Sequence, residues 1–249
     1  MKKKYEFVKG DALSWKGRTI RRIVAIRDFD DVKEGDLGGY IESESNLSQE
    51  DTCWIYDNAK VYGDAGVHGC AKVYGCAKVR DCAVVFGNAK VYGDAEVYDC
   101  ADVYDNAEVY GGAEVYDCAK VYGDAKVRDG AAIYDGAEVY DNAEAYGRTN
   151  VYGDAKVHGD AKVHGDAEVY GDAKVHGDAE VHGDAKVYGD AEVYGGAEVY
   201  DDAKVYGDAE VYGDTKIYGK AKVCGRAEVC GNAEIRGKTV IRGGWRVSL

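Results

Sequence analysis

From Ile55 to Val247 an aliphatic residue falls on every sixth position. The series runs Ile55, Val61, Val67, Val73 and onward to Ile235, Ile241 and Val247, and only Ala145 departs from Val or Ile. Four residues after each aliphatic stands a small one, beginning with Ala59, Ala65, Ala71 and Ala77. Thr149, Thr215 and Thr239 replace alanine mildly, and Trp245 replaces it outright. A period of six drifts around an α-helix, and Val, Ile and Tyr favour extended chain. In a strand the aliphatic and the small residue two before it share one face, while the Tyr and the Lys or Glu that flank the aliphatic share the other. Between strands sit two turn residues such as Gly63-Asp64 or Asp105-Asn106, types that tolerate the positive φ of a sharp corner. Each hexad therefore predicts one short strand and one corner.

Strands this short do not stand alone. Three hexads close one triangular coil of about 18 residues, and successive coils pair in parallel at about 4.8 Å. About eleven such coils make a prism on the order of 50 Å long. Val and Ile fill its axis, Ala sits where two walls meet, and Tyr, His, Lys and Glu point outward. The fold class is all-β, a single-stranded parallel β-helix or solenoid.

The run of Val-Tyr-Gly-Asp-Ala-Lys hexads resembles the hexapeptide-repeat, left-handed parallel β-helix superfamily. Within it the chain is most similar to the YdcK-like β-solenoid proteins, whose repeats read A-x-V-Y-G-x. The resemblance covers about residues 55–247. It implies left-handed winding, against the right-handed rule for crossovers between parallel strands. The superfamily includes trimeric acyltransferases, nucleotidyltransferases and a zinc carbonic anhydrase, so the resemblance implies a fold sharply and an activity hardly at all.

Residues 1–54 lack the hexad register and form a small N-terminal β unit; residues 55–249 form the solenoid with a C-terminal cap. Lys4–Val8 alternates like a strand, Gly10-Asp11 reads as a turn, Thr19–Ile26 as a second strand, and the stretch through Tyr40-Ile41 as a third. A solenoid end left open offers unpaired backbone groups, so a cap is the plain reading of this unit. Arg18, Arg21, Arg22 and Arg27 form the alternative, an anion or partner site. At the other end Trp245, in a small-residue slot, is expected to plug the axis.

Charge narrows the partners. The chain carries a formal charge of -14, which opposes a phosphate-tracking role. It leaves open an acidic decoy that inhibits a partner protein. No apolar run is long enough to cross a bilayer, and Met1-Lys2-Lys3-Lys4 is followed by Tyr5-Glu6-Phe7 and not by an apolar core. A cytoplasmic location is the expectation, with no membrane and no nucleic acid as partner.

Slots one coil apart stack on one wall. One wall carries Tyr98, Tyr116, Tyr134, Tyr152, Tyr170 and Tyr188, a ribbed aromatic face fit to dock a glycan or a protein. Stacked tyrosines also stabilise a sheet by themselves. Histidines fall in the same slots as two stacked pairs, His158 with His176 and His164 with His182. Neither pair has an evident third ligand for zinc, so no metal is expected. Asp154, Asp172, Asp190 and Asp208 make an edge ladder that either attracts Ca²⁺ or serves as good corner residues. Cys82, Cys100 and Cys118 stack along one edge about 4.8 Å apart, within disulfide range, although a reducing compartment favours free thiols.

The register never breaks, so no inserted loop shapes a cleft, and nothing in the repeat converges distinct chemical groups on one point. The expected role is a non-enzymatic scaffold or interaction surface without cofactor, self-associating through its walls or not. The alternative is an acyl-CoA-dependent hexapeptide acyltransferase with His158, His164, His176 or His182 as base.

Overall fold

The computed structural model describes residues 3–248. Three sheets, parallel throughout their coil strands, wrap one axis, with eleven strands in two of them and fourteen in the third. In each sheet the coil strands follow one another at intervals of three in chain order, so every third hexad returns to the same wall. Registers such as Lys90↔Glu108 with Val91↔Val109 show an 18-residue coil. The chain is thus an all-β solenoid of stacked coils, as the six-residue period predicts.

Most coil strands span two to four residues, for example Lys156–Val157 and Glu168–Gly171. Each is held by its neighbours: Lys156 donates its N–H to Ala173 O at 2.9 Å, and His158 to Val175 O at 3.0 Å. At each corner the small residue turns back on the tyrosine before it, as Ala143 N–H does to Tyr140 O at 3.3 Å. The axis is dry. Val157, Val163, Val169 and the alanines between them are fully buried, each valine worth about 1.5–3 kcal/mol of burial.

The first corner residue is left-handed throughout and is either Gly or Asp, for instance Gly159 at φ 70° and Asp141 at φ 59°. A Cβ on Gly159 would stand 2.9 Å from the backbone N of Gly177, so two coils meet there backbone to backbone. Asp in this slot does something Gly cannot. Asp141 Oδ2 accepts the Gly159 N–H at 3.2 Å, and Asp57 and Asp201 do the same for Gly75 and Gly219. The carboxylate gives a partner to a corner N–H of the next coil.

At the N-terminus, β1 (Tyr5–Trp15) and β2 (Arg18–Ala25) form an antiparallel hairpin, and β3 (Leu37–Ile41) continues the sheet. The expected turn at Gly10-Asp11 is not a turn. The register shifts between Phe7 and Ala12 inside one strand, so the extra residues form a bulge, with Gly10 at φ 86°. The chain reverses instead at Lys16-Gly17, both at positive φ, the requirement of a tight hairpin. β3 then pairs in parallel with Lys60–Val61, and Leu47 bridges to Val67. Coil pairing therefore starts before Ile55. Ile41, Leu47 and Ile55 stack under Val61, Val67 and Val73, but eight residues separate Leu47 from Ile55 where later coils have six, and this hides the register in the sequence.

At the other end Trp245 does not plug the axis. It is 71% exposed. The small-residue slot is a corner where two walls meet, and an indole does not fit inside it, so the ring turns outward. Val240 nearby is half exposed, and this end has no counterpart to the N-terminal hairpin among the described residues.

Candidate functional site

The outward slots build three aromatic ladders. On the wall singled out above, Tyr98, Tyr116, Tyr134, Tyr152, Tyr170 and Tyr188 stack ring on ring at 4.8–4.9 Å with planes within 6° of parallel. Isolated aromatic pairs prefer offset or edge-on contact. Here the coil spacing imposes the parallel stack. Arg80 takes the slot before Tyr98 and lies over its ring at 3.8 Å. A second wall reads Phe86, Tyr104, Tyr122, Tyr140, His158, His176, Tyr194 and Tyr212, also stacked. The remaining wall is interrupted twice: Tyr74 meets Tyr92 edge-on at 6.4 Å, and Arg128 stands between Tyr110 and Tyr146, lying over the Tyr146 ring at 4.0 Å.

Beside each aromatic ladder runs a charged one. Lys90 pairs with Glu108 at 2.9 Å, Lys174 with Glu192 at 2.7 Å and Lys186 with Glu168 at 2.7 Å. The glutamates also accept tyrosine hydroxyls of the neighbouring ladder, Tyr98 to Glu114 and Tyr122 to Glu138, each at 2.9 Å. Burial and then the bonded carboxylate push these two phenols well above their ordinary value. Burial pushes Glu108 up, but the hydrogen bonds from Lys90 and Tyr92 outweigh it and hold it below the usual carboxylate range. The Tyr98 and Tyr122 tips are thus neutral donors at physiological pH. An open, polar groove of about 710 Å³ follows one such charged ladder past Lys90, Glu108, Lys126 and Glu144.

His158 and His176 stack at 4.8 Å and His164 and His182 at 4.9 Å. Parallel rings at this separation do not aim two nitrogens at one point between them. Among the described residues no three His, Cys, Asp or Glu gather at metal-binding distance. Burial, then the neighbouring ring, holds His158 and His164 below the ordinary imidazole value, and burial does the same to His176. A lone acid approaches one pair, Asp141 Oδ2 at 3.8 Å from His158 Nδ1.

The four N-terminal arginines do not converge. Arg18 is paired with Glu42 at 2.9 Å. Arg22 reaches Asp11 at 3.0 Å and lies over Tyr40 at 4.4 Å. Arg21 covers the Phe7 ring at 3.7 Å. Arg27 lies past the end of β2. Three of the four, Arg18, Arg21 and Arg22, contact the unit's own acids and rings.

Two features had no signal in the sequence. Lys4, in an apparently basic tail, is fully buried. Its amine bonds Asp51 O at 2.6 Å and Cys53 O at 2.8 Å and lies 3.4 Å from Cys53 Sγ, so it closes the irregular first coil. Burial holds its pKa below the usual lysine value. Asp30 and Asp31 clamp Lys72 at 2.9 and 2.7 Å, and Tyr56 donates to Asp31 at 2.8 Å, fastening the 29–32 loop to a wall.

The geometry defines a hexapeptide-repeat β-solenoid with repeating aromatic and charged walls. No protein-family model matches the chain. Over 38 residues it is 55% identical to the protein described as "Uncharacterized acetyltransferase YdcK" of Escherichia coli (strain K12), a stretch covering 15% of this chain and 12% of that protein. That length is about two coils of this repeat. The repeat, the solenoid and this match together fit a hexapeptide-repeat protein of the YdcK-like kind.

No helix of the described residues is long and apolar enough to cross a membrane.

Proposed function

We propose that the chain is a rigid β-solenoid whose walls serve as a repetitive binding surface for a protein or a glycan. One observation carries this reading. The aromatic and charged ladders repeat from coil to coil without an insertion, so each wall offers a row of near-equivalent contacts and no enclosed cleft. Tyrosine bodies with neutral hydroxyl tips suit both kinds of partner, because they add large contact area at low entropy cost. A partner engaging several rungs gains by multivalency what one rung lacks.

The test is a set of three variants, each with three consecutive ladder residues of one wall changed to alanine, such as Tyr134, Tyr152 and Tyr170. Loss of partner or glycan capture in one variant, with the other two unaffected, supports the reading. Equal capture by all three and the unaltered chain sinks it.

A second reading rests on the name of the matched protein. An acyltransferase would use a histidine of the stacked pairs as base, with the lowered pKa keeping the ring neutral. Acetyl-CoA binding by calorimetry, lost on His158→Ala or His164→Ala, supports it; no heat at millimolar ligand excludes it.

A further inference from the structure

Five of the eight cysteines are exposed, and they differ in what lies one coil away. Cys70 is followed one coil on by Asn88, and Cys76 by Asp94. Cys82, Cys100 and Cys118 follow one another at the same corner. The backbone shows the identity of place: Cys82 N–H bonds Asp99 O, Cys100 N–H bonds Asp117 O and Cys118 N–H bonds Asp135 O, at 2.8–2.9 Å. Two residues earlier, the Tyr98 and Tyr116 rings measure the local coil separation at 4.9 Å. A Cα separation of about 4.8 Å falls inside the disulfide range of roughly 4.4–6.8 Å. Two coils, at about twice that distance, fall outside it.

We propose that Cys82, Cys100 and Cys118 form a three-thiol redox ladder in which Cys100 pairs reversibly with either neighbour. The oxidant is a small-molecule disulfide, RSSR. The Cys100 thiolate attacks one sulfur of RSSR, forming Cys100–S–S–R and releasing RS⁻. The thiolate of Cys82 or Cys118 then attacks Cys100 Sγ and displaces the second RS⁻. Two protein thiols lose two electrons and two protons, and RSSR becomes two RSH. The third thiol then matters. From the Cys82–Cys100 disulfide, the Cys118 thiolate can attack Cys100 Sγ and displace Cys82. Exchange proceeds through three sulfurs in line, and the three residues follow one another along one corner. The hydrogen bond and charge of Cys82 push the Cys100 thiol up, which disfavours its thiolate and slows the first attack.

The test incubates the folded chain with oxidised glutathione, blocks free thiols and maps tryptic peptides by mass. A Cys82–Cys100 bond joins peptide 81–90 to peptide 91–120, whereas a Cys100–Cys118 bond lies within 91–120. The expected result is both products, two thiols lost from the ladder per chain, and no link involving Cys70 or Cys76. Cys100→Ser abolishes the intramolecular bond, while Cys82→Ser and Cys118→Ser each keep one. Glutathione adducts without an internal disulfide overturn the proposal. So does a Cys82–Cys118 bond in Cys100→Ser, or a link only between separate chains. Circular dichroism of the serine variants confirms that each compared chain is folded.

Discussion

At the residue scale the corners show most plainly how one position works. Asp141 holds φ 59° and accepts the Gly159 N–H of the next coil at 3.2 Å. Alanine there would keep the left-handed strain, roughly 1–2 kcal/mol, and lose a hydrogen bond worth about 1 kcal/mol. Asp141→Ala is therefore expected to lower stability by about 1 kcal/mol in urea melts, the bond alone, and Asp141→Gly, which loses the same bond but relieves the strain, by less. Equal losses in the two variants would mean that the left-handed strain contributes nothing. The axis makes a second point. Ala145 is the single gap in the aliphatic series, and Ile133, on the same coil, carries one methyl more than the usual Val; both are fully buried. Ala145→Val alone overfills that coil, an error costing about 1–3 kcal/mol. Joined with Ile133→Val it restores the ordinary pair of valines. A double-mutant cycle should show a favourable coupling of about 1 kcal/mol; strict additivity would break the compensation argument.

At the element scale the ladders couple one strand to the next, and the histidines make that coupling pH-dependent. His158, His164 and His176 sit below their ordinary value in the folded chain. Between the folded and the unfolded value, near 6.5, the unfolded chain binds more protons, so stability falls as pH falls through this window. The melting temperature should drop from pH 7.5 to pH 5 by more in the natural chain than in one carrying His158→Tyr, His164→Tyr and His176→Tyr, which keep the stacks and remove these three titrations. An identical drop in both would place the acid sensitivity elsewhere, in carboxylates such as Glu108. The charged ladders also guard register. Lys78 faces Glu96 and Lys216 faces Glu198 at 2.5 and 3.0 Å, and a strand slipped by one coil loses many of these unlike pairs.

At the scale of the whole molecule each coil touches only its neighbours, so stability accumulates along the rod. Excising residues 157–174 removes one whole coil and rejoins Lys156 to Val175 in phase. The shortened chain should unfold cooperatively, with a maximum dimension in X-ray scattering smaller by about 4.8 Å. Excising residues 157–171 removes two and a half hexads and swaps strand for corner beyond the junction. That chain should lose cooperative unfolding, and a normal melt would deny the hexad its role as the unit of the fold. The hairpin end is closed by a different means, the Lys4 amine on the Asp51 and Cys53 carbonyls.

The six-residue period alone determined the solenoid, the contents of its axis and corners, and which side chains share a wall, because every one of those relations is repeated at a constant offset along the chain. The stacked pairs His158 with His176 and His164 with His182, and the tyrosine ladder from Tyr98 to Tyr188, were legible for the same reason. Only the tertiary structure decided what happens once, between segments at irregular separations. Lys4 leaves the basic tail for a buried pocket, Arg18 and Arg22 turn to Glu42 and Asp11, and Trp245 swings out of a corner too small for it. The eight-residue spacing from Leu47 to Ile55 hides the first coil, since periodicity shows only what recurs, and a single contact in space leaves no period to be read.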